Sequence, residues 1–338
     1  MIEHGRDIFP TQQTLGQYEP VADLLQSPTI DAAYTKHDNA ALKAKKRFHR
    51  LGQAAVLMIA ASAIYTLGEA LIPGFLPENF LIRLLAVSAA GLGIVLQLYL
   101  ILTGQKQKWL LNGYATERLR STKFQAYQCA LSAEDSVELK QMSDDFFKRA
   151  LTDLENELNG GIAVLRSFRP DQAYQNINPP KKAVNPKLAE TALAAFMELR
   201  VKYQSRFAAS EIERLGTRRR LFNSTQDMVY LAAAVFTFIA LGAKLNVALA
   251  DLISIGIIEF LAVTCFIIGA TEAILDNALL EEQSQTRFEQ YRQDIEALTF
   301  TSENRRRTPS DIIQSMEMIA LEELADFCVA AQKISYRF

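Results

Sequence analysis

The sequence predicts an all-α integral membrane protein: four transmembrane helices in two hairpins, with an α-helical cytoplasmic domain. Three observations predict it. Apolar residues segregate into two blocks, roughly 51–103 and 228–275, while the rest of the chain is rich in Lys, Arg, Glu, Gln and Asp. No segment shows the alternation of a half-buried strand. Lys and Arg crowd the flanks of the blocks and avoid the short connections inside them. The mean hydropathy of +0.03 conceals this division, since a globular domain spreads its apolar residues more evenly.

Residues 1–50 read as a cytoplasmic N-terminal segment. Its first 35 residues carry Pro10, Pro20 and Pro28 among many Gln and Thr, and are expected to be extended or disordered when alone. A short apolar patch at Val21, Leu24 and Leu25 suits docking on a partner or on the body of the protein. The polar start lacks the apolar core of a signal peptide.

Residues 51–103 form the first hairpin, with spans Leu51–Ile72 and Leu84–Thr103 broken by Pro73, Gly74 and Pro77. Residues 228–275 form the second, with spans Met228–Ala243 and Leu252–Leu275 and a break bracketed by Asn246 and Asp251. About 20 apolar residues match a hydrocarbon core of roughly 30 Å; only Met228–Ala243 is short. Gly91 and Gly93 inside the second span suit close helix packing. Basic residues set the orientation. Lys36, Lys43, Lys45, Lys46, Arg47 and Arg50 precede span one, Lys106, Lys108, Arg118 and Arg120 follow span two, Arg214, Arg218, Arg219 and Arg220 precede span three, and Arg287 and Arg292 follow span four. Against them stand only Arg83 and Lys244 near the short loops, so both termini and the long middle segment are expected in the cytoplasm.

The cytoplasmic helical domain (104–227) and helical tail (276–338) follow from local signals. Gln105–Gln128 continues span two as a helix. Ser136–Asn159 is helical and stops at Gly160-Gly161. Four prolines over Phe168–Lys187 mark a linker. Leu188–Asn223 and Glu272–Leu298 are helical, and the last helix starts at Thr308-Pro309, a cap followed by proline at the first position.

The chain carries no phosphate-binding glycine loop, no dinucleotide fingerprint and no nucleophile–base constellation, which argues against an enzyme. Three cysteines and three histidines without ligand spacing give no reason to expect a metal or cofactor. Paired carboxylates such as Asp144-Asp145 and Glu322-Glu323 read as solvated helix faces. Acids inside the spans are more informative, because a central acid costs roughly 2.5–3.5 kcal/mol on insertion scales. Glu69, Glu259 and Glu272 are the candidate pore-lining residues; the alternatives are interfacial positions for Glu69 and Glu272 and a structural hydrogen bond for Glu259. Glu259 in particular has no Lys or Arg in its own span to pair with.

An internal repeat links the two hairpins. Glu117, Thr122, Lys123, Phe124 and Tyr127 after span two recur at the same spacing as Glu281, Thr286, Arg287, Phe288 and Tyr291 after span four. Lys46-Arg47 and Gln53 echo Arg219-Arg220 and Gln226 upstream. Each unit is a basic approach, a hairpin and an exit helix, repeated in the same orientation, unlike the inverted repeats of many transporters.

The run Trp109, Ala115, Glu117, Leu119, Arg120, Phe124, Tyr127 resembles the signature of the SLATT superfamily, in which a two-helix membrane hairpin is followed by a helix of the form W-x(n)-A-x-E-x-L-R-x3-F-x2-Y. The second copy keeps Glu281, Phe288 and Tyr291 but has Ala273 and Ser284 in place of the Trp and Arg. The double hairpin is also similar to the membrane effectors of Hailong-type anti-phage systems. The resemblance implies an effector of abortive infection: an oligomeric, ligand-gated pore or ion channel, a tetramer for example, controlled from the cytoplasm by a nucleotide or oligonucleotide from a partner nucleotidyltransferase. An anionic ligand of that kind points to Arg118, Arg120 and Lys123 on the exit helix and to Arg305, Arg306 and Arg307. The arginine triplet lies roughly 45 Å along a helix from the span, too far for lipid anchoring, and next to free backbone N–H groups at a helix start. The contrasting reading is a membrane-anchored helical scaffold without pore activity.

Reporters fused after residue 41, near residue 175 and at the C-terminus will all read cytoplasmic; a periplasmic signal near residue 175 refutes the two-hairpin topology.

Overall fold

The computed structural model describes residues 5–72, 80–175, 183–245, 255–279, 281–304, 307–334 and 336, with no strand among them. The N-terminal region is helical rather than extended. Helix α1 (Gln12–Gln17), a 3-10 turn (Glu19–Val21) and α2 (Ala22–Leu25) lead into α3 (Pro28–Leu71), one helix of 44 residues. Two of the three prolines that suggested extension stand at element starts, Pro20 in the turn and Pro28 opening α3, where a missing N–H is not needed; Pro10 lies before α1, outside any helix.

Next come α4 (Phe80–Thr103) and α5 (Gln105–Gln125), which the sequence reading joined. They are separated at Gly104, whose φ of 60° is left-handed, a conformation glycine adopts without the Cβ penalty. A 3-10 turn (Ala126–Gln128), α6 (Cys129–Ser132), α7 (Ser136–Asn159), α8 (Ala163–Ser167) and α9 (Pro170–Ala173) follow. Asp135 caps α7 by accepting from the N–H groups of Val137 and Glu138. Helix α10 (Pro186–Phe196) passes through a π-helix (Met197–Lys202) into α11 (Tyr203–Leu245). Helix α11 carries the third apolar stretch without interruption, because the sequence turns apolar there without a helix breaker. Helices α12 (Ile255–Leu279), α13 (Glu281–Asn304) and α14 (Pro309–Gln332) complete the order. The start of α14 has a full capping box, Thr308 accepting from Asp311 N–H and Asp311 from Thr308 N–H.

The chain divides into two compact units. Unit one gathers Met1–Ala44, Gln107–Leu215 and Glu282–Lys333; unit two gathers Lys45–Lys106, Gly216–Glu281 and Ile334–Phe338. In unit one, α14 packs on α8, α9 and α10, α6 packs on α10, and α2 packs on α7. Val21, Leu24 and Leu25, the apolar patch of the sequence, are buried. Phe124, Tyr127 and Phe196 form an aromatic cluster with ring centroids 5.7–6.0 Å apart.

Unit two contains four helical stretches long and apolar enough to cross a membrane, in α3, α4, α11 and α12. The one in α11 runs Ser224–Gly242, longer than the sequence reading allowed. Its large apolar side chains face outward: Phe80 is 74%, Leu102 84% and Phe238 76% exposed. Glycines mediate the contacts inside. Gly93 of α4 lies against Ile59 and Ala55 of α3, Gly68 of α3 against Phe260 of α12, Gly256 of α12 against the Leu71 carbonyl, and Gly269 of α12 against Tyr230 of α11. Of the two glycines singled out in α4, only Gly93 makes a close approach; a side chain at Gly91 would meet open space. Ion pairs join Glu69 to Arg83 and Lys244 to Glu259. Tyr336 packs on α3, its hydroxyl 2.8 Å from His49 Nδ1 and its ring 5.2 Å from Phe48.

Gly256→Ala places a methyl against a backbone oxygen that cannot swing away, so it will lower thermal stability by about 1–3 kcal/mol, the usual cost of overpacking. Gly91→Ala will be neutral in the same melting assay.

Candidate functional site

Helix α5 is polar in sequence, yet every residue from Tyr114 to Gln125 except Glu117 is buried. Arg118, Arg120 and Lys123 are 5%, 6% and 1% exposed. A buried cation costs several kcal/mol unless an opposite charge and hydrogen bonds replace water, and each of the three has them. Arg118 pairs with Glu157 at 3.1 Å and donates to the Ala173 carbonyl. Arg120 donates to Glu117 at 2.6 Å and to the Tyr34 hydroxyl, and its Nε stands 3.2 Å from Asp7. Lys123 donates to Asp31 at 2.6 Å and to the Ile8 carbonyl at 2.7 Å. Burial pushes the Lys123 ammonium down and the Asp31 carboxyl up from their ordinary pKa values, and their mutual attraction opposes both shifts.

A fourth buried cation was not singled out in the sequence. The π-helix carries Arg200, 2% exposed, whose guanidinium lies 4.8 Å from the centre of the Phe124 ring. It makes a two-point ion pair with Glu317 of α14 at 2.7 and 3.1 Å. Ser121 of α5 donates to the same carboxylate at 2.7 Å, and Gln125 donates to Ser121. Burial is the largest influence on Glu317 and raises its pKa; Arg200 and the hydrogen bonds oppose the shift.

Between these groups lies a cavity of about 180 Å³, lined by Glu117 and Arg120 of α5, Arg200, Gln204 and Phe207, Arg287, Phe288 and Tyr291 of α13, and Glu323 and Phe327 of α14. Arg287 is its distinctive member. It sits 5.1 and 5.2 Å from the ring centres of Phe288 and Phe327, with Nε 3.0 Å from Glu323 Oε1 but not aligned for a hydrogen bond. Arg120, Arg200 and Arg287 face the cavity together with two carboxylates, an arrangement that suits a phosphate or carboxylate group arriving with its own polar substituents. The space admits such a group and not a whole nucleotide. In the sequence Arg287 counted only as a basic flank; its place in the repeat opposite Lys123 was the available pointer. Glu323, read as solvated, is largely covered.

The remaining candidates lie elsewhere. Arg307 is exposed and donates to Ser315 at 3.2 Å; Arg305 and Arg306 fall outside the described residues. Glu69 and Glu259 are held by Arg83 and Lys244. Glu259 sits one turn inside the start of α12, and its partner comes from α11, which a search of its own span could not find. Glu272 has a buried Oε2 with no hydrogen-bond partner. Among the described residues no cluster of His, Cys, Asp or Glu could hold a metal ion. Burial lifts the Cys129 and Cys328 thiols to about 12, which makes them unreactive.

Arg200→Met will cost about 3–5 kcal/mol of unit-one stability by stranding Glu317, and the double variant Arg200→Met, Glu317→Leu will recover most of it. A carboxyl raised in the folded state holds a proton the unfolded chain has released, so Glu317 makes wild-type stability fall as pH climbs from the ordinary glutamate value to the raised one. Denaturant titrations across that window will show a shallower fall in the double variant.

No family model matches the chain, and no curated protein or solved structure matches it either.

Proposed function

We propose that the chain is a multi-pass membrane protein whose four apolar helices cross the bilayer as two hairpins, with the termini and the middle segment in the cytoplasm. Copies of it assemble into a regulated pore. The carrying observation is the inversion of unit two. Large apolar side chains face outward along α4, α11 and α12, a placement that marks an interaction or membrane surface on a folded protein, and a helix satisfies its own backbone hydrogen bonds in lipid. Copies associate because four helices leave no room for a wide lumen, and identical subunits close most readily into rings.

The regulatory half of the reading rests on unit one. Its cavity presents Arg287, which makes no hydrogen bond to any described group, to a phosphate-sized space. A nucleotide or oligonucleotide phosphate is the ligand chemistry that fits the resemblance to pore-forming effectors of anti-phage defence. Helices α3 and α11 each contribute to both units, so a change in the buried network has a continuous backbone route to the spans. Arg118, Arg120 and Lys123 act in this reading as the scaffold of the site rather than as its first contacts.

Induced expression in bacteria, followed with a membrane-potential dye, tests the pore: depolarisation within minutes is expected, and full polarisation at high levels of inserted protein favours the scaffold reading. Arg287→Lys keeps a positive charge beside Glu323 but loses the guanidinium fork; measured by calorimetry with candidate nucleotides, it will weaken binding at least tenfold with a melting temperature close to that of the wild type. Unchanged affinity moves the ligand site away from the cavity, with the arginine triplet Arg305, Arg306 and Arg307 next.

A further inference from the structure

Residues Gly5–Pro10 form a strap across the buried network of unit one. A turn opens it: Gly5 has a left-handed φ of 80°, and its carbonyl accepts from the N–H groups of Ile8 and Phe9 at 2.9 Å. Asp7 is 2% exposed. Its Oδ2 stands 3.2 Å from Arg120 Nε and accepts from the Gln204 amide at 3.2 Å. Ile8 is buried, and its carbonyl accepts from Lys123. The Tyr203 hydroxyl lies against the backbone of Gly5 and Arg6. Arg6 and Phe9 are exposed.

Asp7 differs from the other carboxylates of the network. Each cation has a partner without it: Arg118 has Glu157, Arg120 has Glu117, Lys123 has Asp31, Arg200 has Glu317 and Arg287 has Glu323. Arg120 holds Glu117 at 2.6 Å, closer than its 3.2 Å approach to Asp7. Those five carboxylates stand on helices, whereas Asp7 stands on a turn. Like charges repel strongly where the dielectric is low. The carboxylate most readily exchanged for another anion is therefore the one that the cations can spare and that no helix holds.

The strap also stands between two spaces. On one side is the cavity of about 180 Å³ that Arg120, Arg200 and Gln204 help to line. On the other is an open groove of about 600 Å³, lined by Arg6, Gln13, Tyr18, Leu199, Tyr203 and Arg206 with their neighbours. The π-helix and α11 contribute to both: Leu199, Tyr203 and Arg206 to the groove, Arg200, Gln204 and Phe207 to the cavity. One residue, a step of about 100° round a helix, separates the two sets. The strap repeats the division, since Arg6 lines the groove and Asp7 holds two residues of the cavity. The cavity alone takes a phosphate-sized group. Joined to the groove, it falls in the range of roughly 300–1,000 Å³ in which small-molecule sites lie. The groove adds a tyrosine ring for stacking and side-chain amides for base edges.

We propose that the strap occupies, within the same chain, the seat of a ligand's phosphate. A nucleoside phosphate displaces Gly5–Pro10, sets its phosphate among Arg120, Gln204 and Arg287 in place of the Asp7 carboxylate, and lays its nucleoside in the groove on Tyr203. The inference rests on the phosphate-binding reading of the cavity; it adds the route of entry, the second half of the site and a competitor built into the chain. Arg120 turns from scaffold to contact when the strap leaves. The closed strap lowers the apparent affinity by the fraction of chains in which it is open.

The test uses the full-length protein in lipid nanodiscs and hydrogen exchange at the strap. Two probes are compared, inorganic phosphate and a mixture of the common nucleoside 5′-monophosphates. A single turn has little stability by itself, so a displaced strap loses the Ile8 and Phe9 hydrogen bonds. In the wild-type chain the nucleotides will speed exchange at those amides at least tenfold, at concentrations at least tenfold below those that phosphate requires. This measurement needs no variant. Asp7→Asn keeps the shape of the side chain and removes its charge. It will speed exchange at the same amides without any probe and tighten nucleotide binding at least tenfold. Nucleotide binding with unchanged exchange at Ile8 and Phe9, or with equal affinity in Asp7→Asn, overturns the strap; the cavity reading survives if Arg287→Lys still weakens that binding. Displacement by phosphate as readily as by nucleotides overturns the groove assignment. Binding that tightens in Asp7→Asn and ignores Arg287→Lys supports the strap and refutes the role given to Arg287. No binding to either chain overturns both.

Discussion

Unit one depends on neutralising the charge that α5 and the π-helix carry into its centre. Arg118, Arg120, Lys123 and Arg200 are each covered to nine-tenths or more, and each has a carboxylate within hydrogen-bond or ion-pair reach. The partners come from far along the chain: Asp7 and Asp31 from the N-terminal region, Glu157 from α7, Glu317 from α14. A buried ion pair is weak evidence for stability against an apolar alternative, but removing one partner alone is severely destabilising. These pairs therefore act as an assembly condition. The N-terminal segment, α7 and α14 must all be in place before α5 can be buried at an acceptable cost.

The π-helix at Met197–Lys202 belongs to the same constraint. Such segments are short and recur at functional positions in otherwise regular helices. Here one lies between α10 and α11 and bears the guanidinium that meets both Glu317 and the Phe124 ring. The residues that resemble the SLATT signature are core residues of this unit: Ala115, Leu119, Phe124 and Tyr127 are at most 1% exposed, and Arg120 joins Tyr34, Glu117 and Asp7. Their weaker copies Phe288 and Tyr291 line the cavity. Unit two follows the opposite rule, with large apolar side chains outward.

Features set by local chemistry were legible in the sequence. The apolar runs are longer than a soluble amphipathic helix sustains, the Gly160-Gly161 stop ends α7, and Thr308-Pro309 starts α14. Features set by tertiary pairing were not. Arg118, Arg120 and Lys123 read as a basic, ligand-facing surface because their carboxylate partners are remote in sequence. Glu259 read as unpaired because Lys244 lies across the connection between two helices. The break at Gly104 was not anticipated where α5 was expected to continue span two, since nothing local distinguishes a glycine inside a helix from a left-handed break between two. The prolines of the N-terminal segment suggested extension, although proline at a helix start is equally compatible with helix. The candidate cavity was the least legible, because its residues come from five separate segments, and Arg287 stood out only through its place in the repeat.

The proposed function requires that unit two cross a bilayer and carry ions. Purified protein reconstituted in planar bilayers, recorded under a KCl gradient with and without candidate nucleotides, tests it most directly. Discrete current steps that respond to the nucleotide are expected. Silent bilayers across all voltages and ligands, with insertion of folded protein verified, would contradict it.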